Sequence, residues 1–411
     1  MKKEFIIISL CLACILVSCK KDKTVVVEMK PVPLTEKQQL VVDQSNTFGF
    51  DFFRKVYELS GNNGNLMVSP LSVSMALGMT RNGAAGTTLN GMNTTLGMAG
   101  MTDGEINEAY KNILETFSSL DPKVKLAIAN SIWYRNTFSV QQSFINTNQD
   151  YFHAQVKPLD FTDPASVNTI NNWVSDNTNQ LIPKILDQIP SDMVMYLIDA
   201  VYFKGQWKYR FDQSKTQDEP FYLPDGTVVQ APAMYLEKYF SVFNGNGFAA
   251  IELPYNQGNY NMIVLLPDAG KSVADVIGQL SQENWNNWYS LFLKTNIQLQ
   301  LPRFKFAYDE LKMKQALEDM GMAVAFDPEN ADFTRINPAG NLYISEVKHK
   351  TFIETNEEGT EAAAVTSIGV GVTSVPVAHD FIADRPFVFF INEKSTGSIL
   401  FIGTLMNPLI E

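Results

Sequence analysis

Residues 357–376 read EEGTEAAAVTSIGVGVTSVP. After Glu361 no charged side chain occurs until Asp380, and the residues between are mostly small, β-branched or glycine. Thr360, Ala362, Ala364, Thr366, Ile368, Val370 and Val372 would line one face of a strand, and each is suited to burial. An uncharged segment of this kind, left exposed, is a template for edge pairing and cross-β stacking. Nothing beside it reads as a hairpin partner. The fold has to supply a place for it.

The chain has 411 residues, 45% hydrophobic and 18% charged, which suits a large core and not a disordered chain. No interior linker, low-complexity tract or repeat divides it, so one large domain is expected. The formal net charge is −12, and no basic run exceeds the terminal KK and CKKDK pieces. Nucleic-acid binding, which needs clustered Lys and Arg, is therefore not expected.

The first residues, MKKEFIIISLCLACILVSC, have a basic start and an apolar stretch too short to span a bilayer. Leu16-Val17-Ser18-Cys19 resembles the bacterial lipobox, with Cys19 as the lipid-attachment residue. The division expected is a signal peptide over 1–18, a charged, Pro-bearing tether over 19–38 and a domain over 39–411. Such a chain would be exported and lipid-anchored to a bacterial cell envelope, on the outer membrane or cell surface. The three cysteines are Cys11, Cys14 and Cys19, so no disulfide is expected in the processed chain.

Helical spacing recurs early. Phe48, Phe52, Val56 and Leu59 share a face, and Ser69-Pro70 places an N-cap before a first-turn proline. Thr102 and Glu105 make a capping box ahead of an amphipathic run from Ile106 to Phe117. Asp309 is expected to open a further helix, with Gly321 as its C-cap glycine. NIQLQL, NMIVLLP, RPFVFFI and GSILFIG read as strands. Helices crowd the first third and strands the rest, without βαβ alternation, so the class is α+β.

Catalytic signatures are missing from the sequence. There is no G-x-S-x-G elbow, H-E-x-x-H or P-loop, and there are three histidines, His153, His349 and His379. No catalytic residue, metal site or cofactor is assigned. Glu357 and Glu358 read as a solvated acid pair.

The opening stretch carries a resemblance. GTEAAA behind a pair of acids, followed by RPFVFFI, resembles the hinge and reactive loop of the serpins. NLMVSPLSVSMALGMTRNGAAGTT, LAIANSIWY, INNWVSDNTNQLI, VYFKGQWKYRF with Thr216 and Phe221, ELPY, LPRFKF, ADF at 331–333 and LFIGTLMNP match in family order over roughly residues 40–411. The resemblance implies three β-sheets, eight or nine helices and an exposed reactive-centre loop at about 357–380. Strand addition by serpin loops is itself a standard example of that recognition mode.

The function implied is suicide inhibition. A serine protease, or a cysteine protease as a second class, would attack the loop and form a covalent complex with a monomeric inhibitor. The hinge would be Glu358, Gly359, Thr360, Glu361, Ala362, Ala363 and Ala364, small enough to enter between strands. Counting from Gly359 places the reactive bond at Thr373–Ser374, with Val372–Thr373 as the alternative. Small uncharged residues there suit elastase- or subtilisin-like enzymes. The family's polar cluster beneath the opening sheet maps to Asn65, Ser69, Ser72, Asp199 and His349. At Asp199 the family usually has Asn. Two readings stay open: a charge-assisted Asp199–His349 pair that raises the histidine's pKa, or an Asp199 bound to hydroxyls or solvent. The rival functions are a non-inhibitory serpin acting as a surface carrier and a lipoprotein binding glycan or host matrix.

Overall fold

The computed structural model describes residues 29, 31–61, 64–309, 312–360 and 378–410. Nine α-helices lie among them: α1 (Glu36–Leu59), α2 (Pro70–Arg81), α3 (Gly86–Thr95), α4 (Asp103–Phe117), α5 (Gln142–Phe152), α6 (Ala165–Asn177), α7 (Val273–Ile277), α8 (Gln282–Leu291) and α9 (Met313–Leu317). The strands are β1 (Leu66–Val68), β2 (Val124–Arg135), β3 (Gln155–Leu159), β4 (Met195–Gln206), β5 (Gln217–Tyr222), β6 (Val228–Asn244), β7 (Phe248–Pro254) and β8 (Tyr260–Pro267). They continue with β9 (Leu293–Pro302), β10 (Phe304–Asp309), β11 (Lys350–Asn356), β12 (Gly359–Thr360), β13 (His379–Ile382), β14 (Phe387–Glu393) and β15 (Ile399–Leu405).

The expected helix starts are present. The Ser69 hydroxyl accepts from the Ser72 N–H at 3.3 Å with Pro70 in the first turn, and Thr102 and Glu105 close a reciprocal capping box. The domain begins before residue 39. Thr35 and Gln38 form another capping box, Val32 is buried, and its N–H donates to Ser395 Oγ at 2.9 Å. The tether boundary at residue 38 is corrected accordingly. Asp309 does not open a helix: it ends β10, paired in register with Lys350, and their side chains meet at 3.2 Å. The ladder claims it, and α9 starts at Met313. Gly321, at φ 113°, ends the irregular turn that follows.

Strands β10–β11–β12–β4–β2–β3 form a six-stranded sheet, and the other nine form a network in the order β1–β15–β14–β8–β7–β6–β9–β13, with β5 on β6. The long strand β6 holds that network together. It pairs with β5 through residues 228–233, with β9 through 233–242 and with β7 through 241–244. Two of the three expected sheets thus share one strand. Its central strand β8 is buried at every position, as an apolar run between two covered faces should be.

Strand β4 is covered on both sides. Val201 and Phe203 belong to the main core, which also contains α1 and α2. Tyr196, Ile198 and Ala200 join Trp133, Ile170 and Val174 in a second core against α6. Odd-numbered residues of β4 therefore face α2, and even-numbered ones face α6.

Candidate functional site

The hinge begins in a two-residue turn. Strand β11 ends at Asn356, Glu357 and Glu358 reverse the chain, and β12 runs back with Thr360 opposite Thr355 and Gly359 opposite Asn356. The hairpin partner that the sequence did not reveal is the preceding strand. On its other side β12 pairs with β4, Gly359 opposite Gln206 and Thr360 opposite Gly205. Two residues of the hinge thus already stand as a strand between β4 and β11.

Gly359 is required here. Its φ is 152°, and a Cβ at this position would lie 2.0 Å from the Gly205 carbonyl oxygen. Thr360 is 3% exposed, and its hydroxyl lies 2.6 Å from the Tyr255 hydroxyl. Burial pushes the Tyr255 phenol far up, so it stays a hydroxyl and can donate or accept. The Trp207 ring stacks on Tyr255 at 4.5 Å, its Nε1–H donates to the Asn356 carbonyl at 2.8 Å, and its backbone N–H donates to the Glu358 carbonyl at 2.9 Å.

The two acids are not a solvated pair, and that expectation is corrected. The Glu357 side chain is 6% exposed, and Arg303, at the junction of β9 and β10, approaches its Oε1 with Nε at 2.6 Å. The Thr216 hydroxyl donates to the same oxygen. Glu358 meets Arg210 at 3.0 Å, and Arg210 also donates to Gln206 Oε1 at 2.9 Å. A buried carboxylate needs such partners, since its desolvation is repaid only by charge and hydrogen bonds.

Below the hinge the sheet is not closed. Among the described residues β4 and β11 have no ladder pair with each other and are joined through β12. Further down, a cavity of about 600 Å³ lies between residues 192–198 and 341–348, above Ala76 and Leu77 of α2.

The structure divides the predicted polar cluster. The Ser72 hydroxyl donates to Asp199 Oδ1, and the Ser69 N–H donates to His349 Nε2 at 3.0 Å. Of the two readings of Asp199, the hydroxyl-bound one holds. Burial carries the Asp199 carboxyl up to about 8, partly offset by the Ser72 bond. His349 moves opposite to the charge-assisted expectation: burial lowers its pKa to about 4, against a small raising effect of Asp309. Asn65 does not belong to this cluster. Its Oδ1 accepts from the Met406 and Asn407 N–H groups at 2.8 and 3.0 Å, and its Nδ2 donates to the Asn407 carbonyl, so it clamps the C-terminal segment.

Glu361, Ala362, Ala363, Ala364, Val372, Thr373, Ser374 and Cys19 lie outside the described residues. Sequence reasoning gave no role to Trp207, Arg210, Tyr255 or Arg303. All four sit in segments already singled out, VYFKGQWKYRF, ELPY and LPRFKF, and the signal was an aromatic or cation at or just past the end of a strand.

A two-residue strand seated between β4 and β11, with no ladder pair between those two strands below it among the described residues, is the geometry found here, and the sequence comparison gives the class. The family model for Serpin (serine protease inhibitor) matches residues 43–408, and the chain belongs to this family. It is 34% identical over 377 residues to an uncharacterized serpin-like protein of Thermococcus kodakarensis, covering 90% of this chain and 87% of the relative. It is 33% identical over 379 residues to the leukocyte elastase inhibitor of Xenopus tropicalis, covering 88% and 97%. The solved native state of tengpin, a thermophilic serpin, superposes with a TM-score of 0.82 at 33% identity, covering 93% of this chain and 97% of that one.

Proposed function

We propose that this serpin inhibits serine proteases by inserting its cleaved reactive loop as a new strand between β4 and β11. The observation that carries the reading is β12 itself, seated on Gly205 and Gln206 on one side and on Thr355 and Asn356 on the other. Continuing the register with β4 residue for residue brings Val370 opposite Met195, the first residue of that strand. The length from Thr360 to Val370 thus matches the length of β4. Thr360 already points inward, so the even-numbered positions, chosen small or apolar by the sequence, would follow it into the core.

The energetics are sufficient. Each ladder hydrogen bond is worth about 0.5–1.5 kcal/mol net, before apolar burial is added. About ten inserted residues supply an amount comparable with the roughly 5–15 kcal/mol that holds a protease domain folded. Attack by the protease serine on the loop forms an acyl-enzyme. Insertion then drags the acylated protease along the sheet and deforms its active site before water releases it.

The loop offers Val372 and Thr373 around the bond and no Lys or Arg between Lys350 and Arg385. This supports an elastase- or subtilisin-like target. The amphibian relative's name, leukocyte elastase inhibitor, is in keeping with that class. The lipobox ending in Cys19 supports an exported, lipid-anchored form. The test is incubation with elastase followed by a denaturing gel. A complex that survives denaturant, releasing a fragment that begins at Ser374, is expected. Clean cleavage with active elastase recovered would refute inhibition.

A further inference from the structure

Among the described residues, two of the buried oxygen atoms in the six-stranded sheet that lack a hydrogen-bond partner lie across one ladder from each other. Asp199 of β4 pairs directly with Asn130 of β2. Asp199 Oδ2 and Asn130 Oδ1 are both inaccessible to solvent and without a hydrogen bond. Their other polar atoms are engaged: Ser72 donates to Asp199 Oδ1, and Asn130 Nδ2 donates to the Phe152 carbonyl at 2.9 Å. Both side chains face the α2 side, since Leu126 and Ile132 of β2 share the main core with Val201 and Phe203 of β4. Directly opposed residues of an antiparallel pair have Cβ atoms about 4.5–5.5 Å apart, within reach of a direct bond or one bridging water.

An ionised Asp199 would leave this arrangement with two acceptors and no donor. A neutral carboxylic acid solves both problems with one proton. We infer that Asp199 is held protonated in the native fold, with Oδ2–H donating toward Asn130 Oδ1, so that one proton ties β2, β4 and α2 together. Buried polar atoms left unpaired are costly, so the proton is retained for the donor it supplies.

Among the described residues no Lys or Arg pairs with Asp199. From α2 the facing group is the Ser72 hydroxyl, and the helix's Arg81 is occupied by Asn93 and by Asp103 at 2.8 Å. From β2 the facing side chain is Asn130, while Ser131 points to the α6 side and accepts from Trp133 Nε1 at 2.8 Å. The segment ahead of β11 brings Glu346 and Lys348, which pair with each other at 2.7 Å, and the buried His349, held as an acceptor by Ser69. The burial-driven rise of the Asp199 pKa agrees with this geometry.

The proposal is independent of protease inhibition and is tested without a protease. The infrared spectrum of the full chain at about pH 7 should show a protonated-carboxyl band that disappears in Asp199→Asn. Asn130→Leu should shift that band toward the position of an unbonded acid. The denaturant midpoint of the wild type should fall between about pH 6.5 and 8, while that of Asp199→Asn stays level there. Absence of the band, or wild-type and Asp199→Asn midpoints that run parallel, overturns the assignment. Should Asp199→Asn fail to fold, the shift caused by Asn130→Leu decides, and an unmoved band rejects Asn130 as the acceptor.

Discussion

The hydroxyls of Thr360 and Tyr255 meet at 2.6 Å beneath the six-stranded sheet, and the threonine is 3% exposed. Thr360 is the first inward-facing residue of the hinge. Replacing it with arginine buries a charge where the neighbours are an aromatic hydroxyl and Gly205. A buried unpaired charge costs several kcal/mol, so β12 should be expelled and insertion should stall. Thr360→Arg is expected to be cleaved by elastase as a substrate, with active protease recovered. Retention of full inhibitory stoichiometry by this variant would remove insertion from the mechanism.

Arg303→Ala should destabilise the native state without touching the loop. It leaves the buried Glu357 carboxylate with the Thr216 hydroxyl as its remaining side-chain partner. Breaking a buried ion pair costs about 3–5 kcal/mol, and the partial exposure of Arg303 places this pair at or below the low end. Urea denaturation should show a lower midpoint for Arg303→Ala. The double variant Arg303→Ala/Glu357→Gln, which removes the stranded charge, should recover part of the loss.

The pH profile has a sign that can be worked out. His349 has a folded-state pKa of about 4 against an ordinary 6.5, so the native state holds fewer protons in that interval. Its contribution to stability is present above about pH 6.5 and is lost as pH falls toward 4. Asp199 works the other way: its folded pKa of about 8 against 3.8 makes stability fall as pH rises through that interval. Between about pH 4 and 6.5 the two slopes oppose, and above 6.5 the Asp199 slope stands alone. With the Asp199 slope left alone, His349→Gln is expected to show a denaturant midpoint that rises as pH falls from about 6.5 to 4, where these two groups together leave the wild type nearly level. An unchanged acid limb in that variant would contradict the assignment.

Thr373→Arg should redirect the inhibitor. The new guanidinium can pair with the carboxylate in the primary pocket of a trypsin-like enzyme, while the hinge and its seat on β4 stay intact. Denaturant-stable complexes with trypsin should appear and those with elastase should decline. Mass spectrometry of the released C-terminal fragment locates the bond, and a fragment starting outside residues 373–375 would show the register to be miscounted.

Cys19→Ala should move the protein from the detergent phase to the aqueous phase in a phase-separation assay, with elastase inhibition unchanged. A wild-type protein already found wholly in the aqueous phase rules out the anchor.

The class of the fold was legible because its strongest signals are local. Ser69-Pro70, the Thr102–Glu105 box and the apolar run of β8 each fix an element from within a few residues. Of the expected hinge, Glu358, Gly359 and Thr360 lie among the described residues, and the small side chains of Ala362, Ala363 and Ala364 lie outside them. The partners of Glu357 were not. Arg303 lies 54 positions away and Thr216 lies 141 positions away, and it takes the meeting of the β9–β10 junction, the end of β11 and the residue ahead of β5 to bring them together. Asp309 was misread because a good N-cap residue followed by helix formers competes with a ladder to β11 that no local window contains. The sequence left two readings of Asp199 and His349 open, and the one that raised the histidine's pKa fails because burial, which outweighs any neighbouring charge here, is a property of the assembled core.

In the proposed insertion mechanism the two residues of β12 also bear on how fast the protein can act. Adding a strand to a sheet is slow at its first rung, where chain entropy is lost before any ladder is gained. Here that rung exists before a protease arrives, with Thr360 already bonded below and Gly359 already threaded past Gly205. What remains after cleavage is elongation, in which each residue fixed makes its own bonds to both neighbours. The race against deacylation therefore starts from a formed nucleus, and its outcome is set by how readily β4 and β11 part ahead of the advancing strand.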